Sequence, residues 1–139
     1  MIESQLEAAA IKNFVLKHRR ERYLQLLQTR KVGAGFGELD HFTRNFTRNL
    51  DLRFCFKIPS GPLDREITYI LNKVQEYSNT TQCYLLSASP SLDGQWLTTK
   101  EALHKIIGSG FGSLLILEYG RIIFYESEEI KDRYLGIKI

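Results

Sequence analysis

Cysteine, proline, methionine and tryptophan are all scarce in this chain of 139 residues, which holds two, three, one and one of them. Two cysteines are too few to staple a small secreted scaffold in which bridges stand in for a core. Three prolines and ten glycines exclude a collagen-like or low-complexity chain. Long apolar runs are missing as well. None exceeds four residues, as in Leu114 to Leu117, where a membrane-spanning helix needs about 20. No membrane association is therefore expected. Glu3 and Glu7 stand where a secretory leader has a basic start and an apolar stretch, so the expected compartment is the cytoplasm. What is present is 43% hydrophobic, 25% charged and 12% aromatic residues, the make-up of a globular domain. The length suits a single domain over residues 1–139, with an N-terminal helix (1–31) and a body (38–139).

Charge is uneven. The net value is +3, but residues 1–57 carry +5 and residues 58–139 carry −2. A basic half fits a nucleic-acid or anionic surface. An excess of five over 57 residues is far short of a basic arm, and a solvated helix face accounts for it. Cys55 and Cys83 lie in apolar, strand-like runs and read as small buried hydrophobes. Spacing alone does not say whether they are neighbours.

Residues 2–31 contain no Gly or Pro and many strong helix formers, which predicts helix. Ile2, Leu6, Ala9, Leu16, Tyr23, Leu24 and Leu27 share one side of the wheel. Ile11, Phe14, Val15 and Leu26 lie on the other. A continuous helix of that length would span about 45 Å, longer than a compact domain, so it projects or breaks near His18. Apolar side chains on two sides call for a second partner, and the simplest is another copy through Ile11, Phe14, Val15 and Leu26.

Further along, residues 38–48 read as a short helix containing the tandem Phe42-Thr43-Arg44-Asn45 and Phe46-Thr47-Arg48-Asn49. Alternation in Leu52, Phe54, Phe56 and Ile58 predicts a strand, and residues 63–77 an amphipathic helix. Cys83 to Ala88 reads as a strand, and Thr98 or Thr99 caps a helix over 100–107. Leu114 to Tyr119 and Ile122 to Glu126 flank Gly120-Arg121 as a hairpin, with a last strand over Tyr134 to Ile139. The expected class is α+β, with helices on one face of a mixed or mostly antiparallel sheet of four to five strands.

No constellation names a reaction. Gly33-Ala34-Gly35-Phe36-Gly37 and Gly108-Ser109-Gly110-Phe111-Gly112 lack the strand, glycine loop, helix order of a phosphate cradle. They read as helix ends and turns. His18, His41 and His104 share no metal-ligand spacing, so no metal and no cofactor are expected. There is no nucleophile elbow, and both cysteines sit inside strands. Polar residues beside turns leave Asp40, His41, Arg53, Asp93 and Glu126 as the candidate catalytic set; Glu126, with Glu128 and Glu129, reads otherwise as a solvated cluster. Arg44, Arg48 and Arg53 beside Phe42, Phe46 and Phe54 come nearest to a nucleic-acid surface, though helical and strand spacing makes those rings core anchors.

Glu38-Leu39-Asp40-His41-Phe42, Leu50-Asp51-Leu52-Arg53-Phe54, Leu92-Asp93-Gly94, Gly110-Phe111-Gly112-Ser113 and Tyr125-Glu126 together resemble a group of small uncharacterised bacterial proteins. The resemblance covers most of residues 38–126 in short pieces and departs at the doubled tetrapeptide. It implies a bacterial cytosolic protein and carries over no activity, ligand or site residue. The leading expectation is a non-catalytic binding or regulatory domain that forms a homodimer through its N-terminal helix, with room for a protein partner. The alternative is a small enzyme with a polar site at the sheet ends. The third is a weakly sequence-specific nucleic-acid binder using the basic first half.

Overall fold

The computed structural model of the chain describes residues 4–29, 46–127 and 133–139. It contains α1 (Ser4–Phe14), α2 (Arg20–Thr29), β1 (Cys55–Lys57), α3 (Leu63–Gln75), β2 (Gln82–Ser87), β3 (Trp96–Thr98), α4 (Thr99–Ile106), β4 (Ser113–Leu117), β5 (Ile122–Glu126) and β6 (Arg133–Ile137). The strands form one sheet in the order β1-β6-β5-β4-β2-β3, and every neighbouring pair is antiparallel. The α+β expectation holds, with two corrections.

The sheet has six strands, not four or five. The extra one, β3, is three residues long, too short for alternation to reveal it. The helices also cover both faces. One face carries Tyr84, Leu86, Leu114, Ile116, Ile123 and Tyr125 against Ile11, Phe14, Tyr23 and Leu27 of α1 and α2. The other carries Cys83, Leu85, Leu115, Phe124 and Leu135 against Ile67, Ile70, Val74, Leu103 and Ile106 of α3 and α4. Successive strand residues point to opposite faces, so runs such as Leu114 to Leu117 are buried throughout and feed both cores.

The N-terminal helix breaks at Val15. Val15 leaves α1 to form an isolated antiparallel bridge with Leu50, while Leu16 N–H donates to Asn49 O and Asp51 N–H to Phe14 O. A single 3₁₀ turn, Lys17–Arg19, then restarts the chain as α2. The break disposes of the two-sided apolar pattern within one chain. Ile11, Phe14 and Val15 are fully buried in the chain's own core, and Leu26 is half-buried against it. They have no accessible surface to offer a second copy at the expected interface, apart from the half-covered Leu26.

The strand expected over residues 52–58 shrinks to Cys55–Lys57 and faces the other way: Cys55 is buried and Phe56 exposed. β1 is an edge strand, where outward aromatic side chains are tolerated and the alternation loses its meaning. The helix after β3 starts as the sequence suggests. Thr98 Oγ1 accepts the Glu101 N–H at 3.2 Å, an N-cap, and its hydroxyl donates to the Glu101 carboxylate at 2.9 Å. The segment holding Asp40, His41, Phe42 and Arg44, and the acidic pair Glu128 and Glu129, lie outside the described residues. Among the described residues, no helix is long and apolar enough to cross a membrane.

Cys55 and Cys83 occupy opposite cores, on strands separated by three others. At about 4.8 Å per strand that is about 19 Å, far beyond disulfide reach. Burial pushes both thiols up to about 12, so neither is a thiolate at neutral pH. The native protein is expected to leave an aromatic disulfide reagent unreacted, and both thiols should titrate at once in denaturant. A fast-reacting thiol in the native state would contradict this burial.

Candidate functional site

The structure divides the sequence-derived candidates between two ends of the sheet. Arg53 precedes β1 at the end where β6 finishes, since Ile137 N–H donates to Phe54 O. Its guanidinium makes a two-pronged contact with buried Asp51, at 2.9 and 2.7 Å, and that pairing depresses the Asp51 carboxyl below its usual value. Arg53 thus secures the turn that leads into β1.

Asp93 and Glu126 lie at the opposite end. Pairing register places Ser87, Ser113, Glu126 and Arg133 side by side across β2, β4, β5 and β6, all facing α3 and α4. Asp93 accepts the Ser87 N–H at 3.1 Å, and the Ser87 and Ser113 hydroxyls meet at 2.8 Å. Glu126 Oε2 accepts the Gly108 N–H at 2.8 Å, and Oε1 lies 2.6 Å from Arg133 Nε at an angle outside hydrogen-bond geometry. Arg133 also reaches Glu66 of α3 at 3.2 Å. All three charged side chains are buried. Burial raises the Glu126 carboxyl above its usual value, against the pull of Gly108 N–H and Arg133. This row closes the end of one core with its charges turned on one another. Among the described residues, no group of His, Cys, Asp and Glu is arranged to hold a metal ion.

A concavity lies on the other face, at the far end of β4. Two helices of about 10–12 Å diameter cannot cover six strands, and β3 remains outside their shelter. Trp96 of β3 pairs in register with Tyr84, which pairs with Ile116. Trp96, Ile116 and the start of α1, Gln5 and Leu6, border a cleft of about 740 Å³ that also takes in Thr80, Gln82 and Leu117. Trp96 is 48% exposed, its ring centroid 5.6 Å from that of Tyr84, whose hydroxyl donates to buried Glu7 at 2.7 Å.

The far wall is the corner joining β4 to β5. Glu118 and Tyr119 both adopt positive φ, 47° and 56°, and Gly120 follows at 86°. Two consecutive non-glycine residues in the left-handed region are held there by the packing of Gly120 on α1 and by Asn13 Nδ2 donating to Gly120 O at 2.8 Å. The corner leaves Tyr119 82% exposed at the cleft. Glu118 Oε1 accepts the hydroxyls of Ser78 and Thr80, the latter at 2.8 Å, whereas Oε2 accepts none from the described residues. The Ser78 bond, then that from Thr80, lowers the Glu118 carboxyl, so it stays ionised below the usual glutamate range. Past Glu118 the cleft continues into a polar hollow along Tyr77, Ser78 and Asn79.

Of the sequence-derived candidates that are described, Arg53, Asp93 and Glu126, none lines this cleft. The usable signals were the lone tryptophan in a short run after a turn and a tyrosine directly before the hairpin glycine. No family model, no curated protein and no solved structure matches this chain.

Proposed function

We propose that this protein is a non-catalytic binding domain whose ligand is a small organic cation with an apolar or aromatic body. The observation that carries this reading is the ionised Glu118 carboxylate, oriented by two hydroxyls, beside a cleft bordered by exposed Trp96 and Tyr119. Aromatic faces attract cations through their quadrupole, and a fixed carboxylate supplies the counter-charge. The volume lies within the range of small-molecule sites, which are mainly apolar with a few oriented polar groups. Backbone strain concentrated at the residues that offer the aromatic ring and the charge also supports a binding role.

Trp96 is the sole tryptophan, so its fluorescence reports on the cleft alone. Phenethylamine is expected to change that emission saturably, while its neutral isostere 2-phenylethanol does not. Glu118→Gln retains an acceptor for Ser78 and Thr80 and is expected to weaken the amine about tenfold. Because the Glu118 carboxyl is held low, the wild-type response should persist as pH falls through the usual carboxylate range. Equal, linear quenching by both compounds, or an unchanged Glu118→Gln titration, would refute the reading.

A further inference from the structure

The junction of α1 and α2 forms a second concavity, of about 530 Å³, bordered by Leu16, His18, Arg19, Arg22, Tyr23, Arg48 and Asn49. We propose that this cleft binds the phosphate of a small molecule. Three arginines and a histidine line it, and among the described residues no carboxylate does. Three other arginines have structural work: Arg20 donates to Val15 O, Arg53 grips Asp51, and Arg133 sits between Glu66 and Glu126. Arg19, Arg22 and Arg48 make no ion pair with any described residue. Three guanidiniums around one cleft with no counter-charge among the described residues repel one another, and an anion reverses the sign of that interaction. Their planar, multi-donor heads match phosphate oxygens in pairs.

The floor of the cleft is built. Asn49 Nδ2 donates to the Tyr23 hydroxyl at 2.7 Å, tying α2 to the 3₁₀ turn Thr47–Asn49 that carries Arg48. Burial raises the Tyr23 hydroxyl, opposed by the bond from Asn49 and then by the positive charges of Arg19 and Arg22. The cations stand at the start of α2, the end of a helix where positive side chains are disfavoured and anions favoured. Phe46, the start of the same turn, is buried between Tyr23 and Tyr125, with ring centroids 5.5 and 4.8 Å away. It anchors Arg48 and is not free to stack on a nucleic-acid base. A compact cleft with no exposed stacking ring among its described lining residues fits a small phosphate compound better than a strand of nucleic acid.

The test is calorimetric titration of the full chain with sodium pyrophosphate at constant ionic strength, beside a short single-stranded oligonucleotide. The expected result is one saturable pyrophosphate site. Arg22→Gln with Arg48→Gln should weaken it about tenfold or more, the loss expected when charged hydrogen bonds are removed. Both side chains are exposed, so the circular dichroism spectrum and the ligand-free melting temperature should be retained. Arg48→Glu is the second variant and should weaken pyrophosphate further by repulsion. Absence of saturation, or equal affinity in wild type and variants, would overturn the proposal. So would oligonucleotide binding tighter than pyrophosphate with a steep salt dependence, which would give this surface to nucleic acid.

Discussion

Gly120→Ala is expected to lower stability by about 3 kcal/mol or more, one of the largest losses available from adding a single methyl group. Two costs act together. At φ 86° an alanine enters the left-handed region, worth about 1–2 kcal/mol. A Cβ there would also lie 2.6 Å from Ala9 Cβ, 2.9 Å from Ala10 N and 3.0 Å from Ala9 C. Two of those three atoms are helix backbone and cannot swing aside, so the corner must lift off α1, with an overpacking cost of about 1–3 kcal/mol. Gly110 is the internal control. It has a similar φ of 82° with nothing within 4 Å of an added Cβ, so Gly110→Ala should lose only the backbone contribution. Thermal denaturation followed by circular dichroism separates the two, with a drop of about 10 °C or more for Gly120→Ala. Equal losses at both glycines would mean that the contact with α1 carries no weight. The same displacement moves Tyr119, so the Trp96 response to amine should fall in the folded Gly120→Ala protein as well.

That coupling shows why the cleft was hard to read in the sequence while the frame around it was not. Helices α3 and α4 and the β4–β5 hairpin announce themselves through apolar spacing, a Thr-x-x-Glu cap and a glycine turn, all local signals. The cleft depends on distant segments meeting: Leu6 of α1, Thr80 before β2, Trp96 of β3 and Tyr119 after β4. Their meeting follows from the strand order, which no local pattern encodes. A break near His18 is one of two outcomes that helix length allows; its place at Val15 has the same non-local origin, because the competing partner, Leu50, lies 35 residues downstream by numbering. Asp93 and Glu126 were drawn from turns and strand ends, and the structure does bring them to one end of the sheet, yet as the supports of backbone groups and a buried guanidinium. Isolated polar residues beside apolar runs carry the same sequence signature whether they close a core or line a site.

Arg133 gives the second large effect, and its size should depend on pH. In Arg133→Met the carboxylates of Glu66 and Glu126 remain buried without their shared cation. Removing one partner of a buried ion pair costs about 3–5 kcal/mol, because the charge left behind is desolvated and uncompensated. Glu126 is already raised above the usual 4.5 by burial, and losing Arg133 removes one of the forces that hold it down. A raised carboxyl contributes stability below its ordinary value, and that contribution disappears as pH rises through the elevated one. The deficit of Arg133→Met should therefore be greatest at neutral and alkaline pH and shrink as pH falls through the elevated value and Glu126 takes up its proton. Glu126→Gln in the wild-type background should behave differently. It leaves Glu66 and Arg133 as a matched pair, keeps an acceptor for Gly108 N–H, and flattens the wild-type decline in stability over the same window. Adding Glu126→Gln to Arg133→Met should restore part of the loss at neutral pH and little in acid. Melting temperatures of the four proteins across the acid-to-neutral range decide the matter: parallel curves would show that Arg133 acts there by filling space, and converging curves that its charge balances the two glutamates.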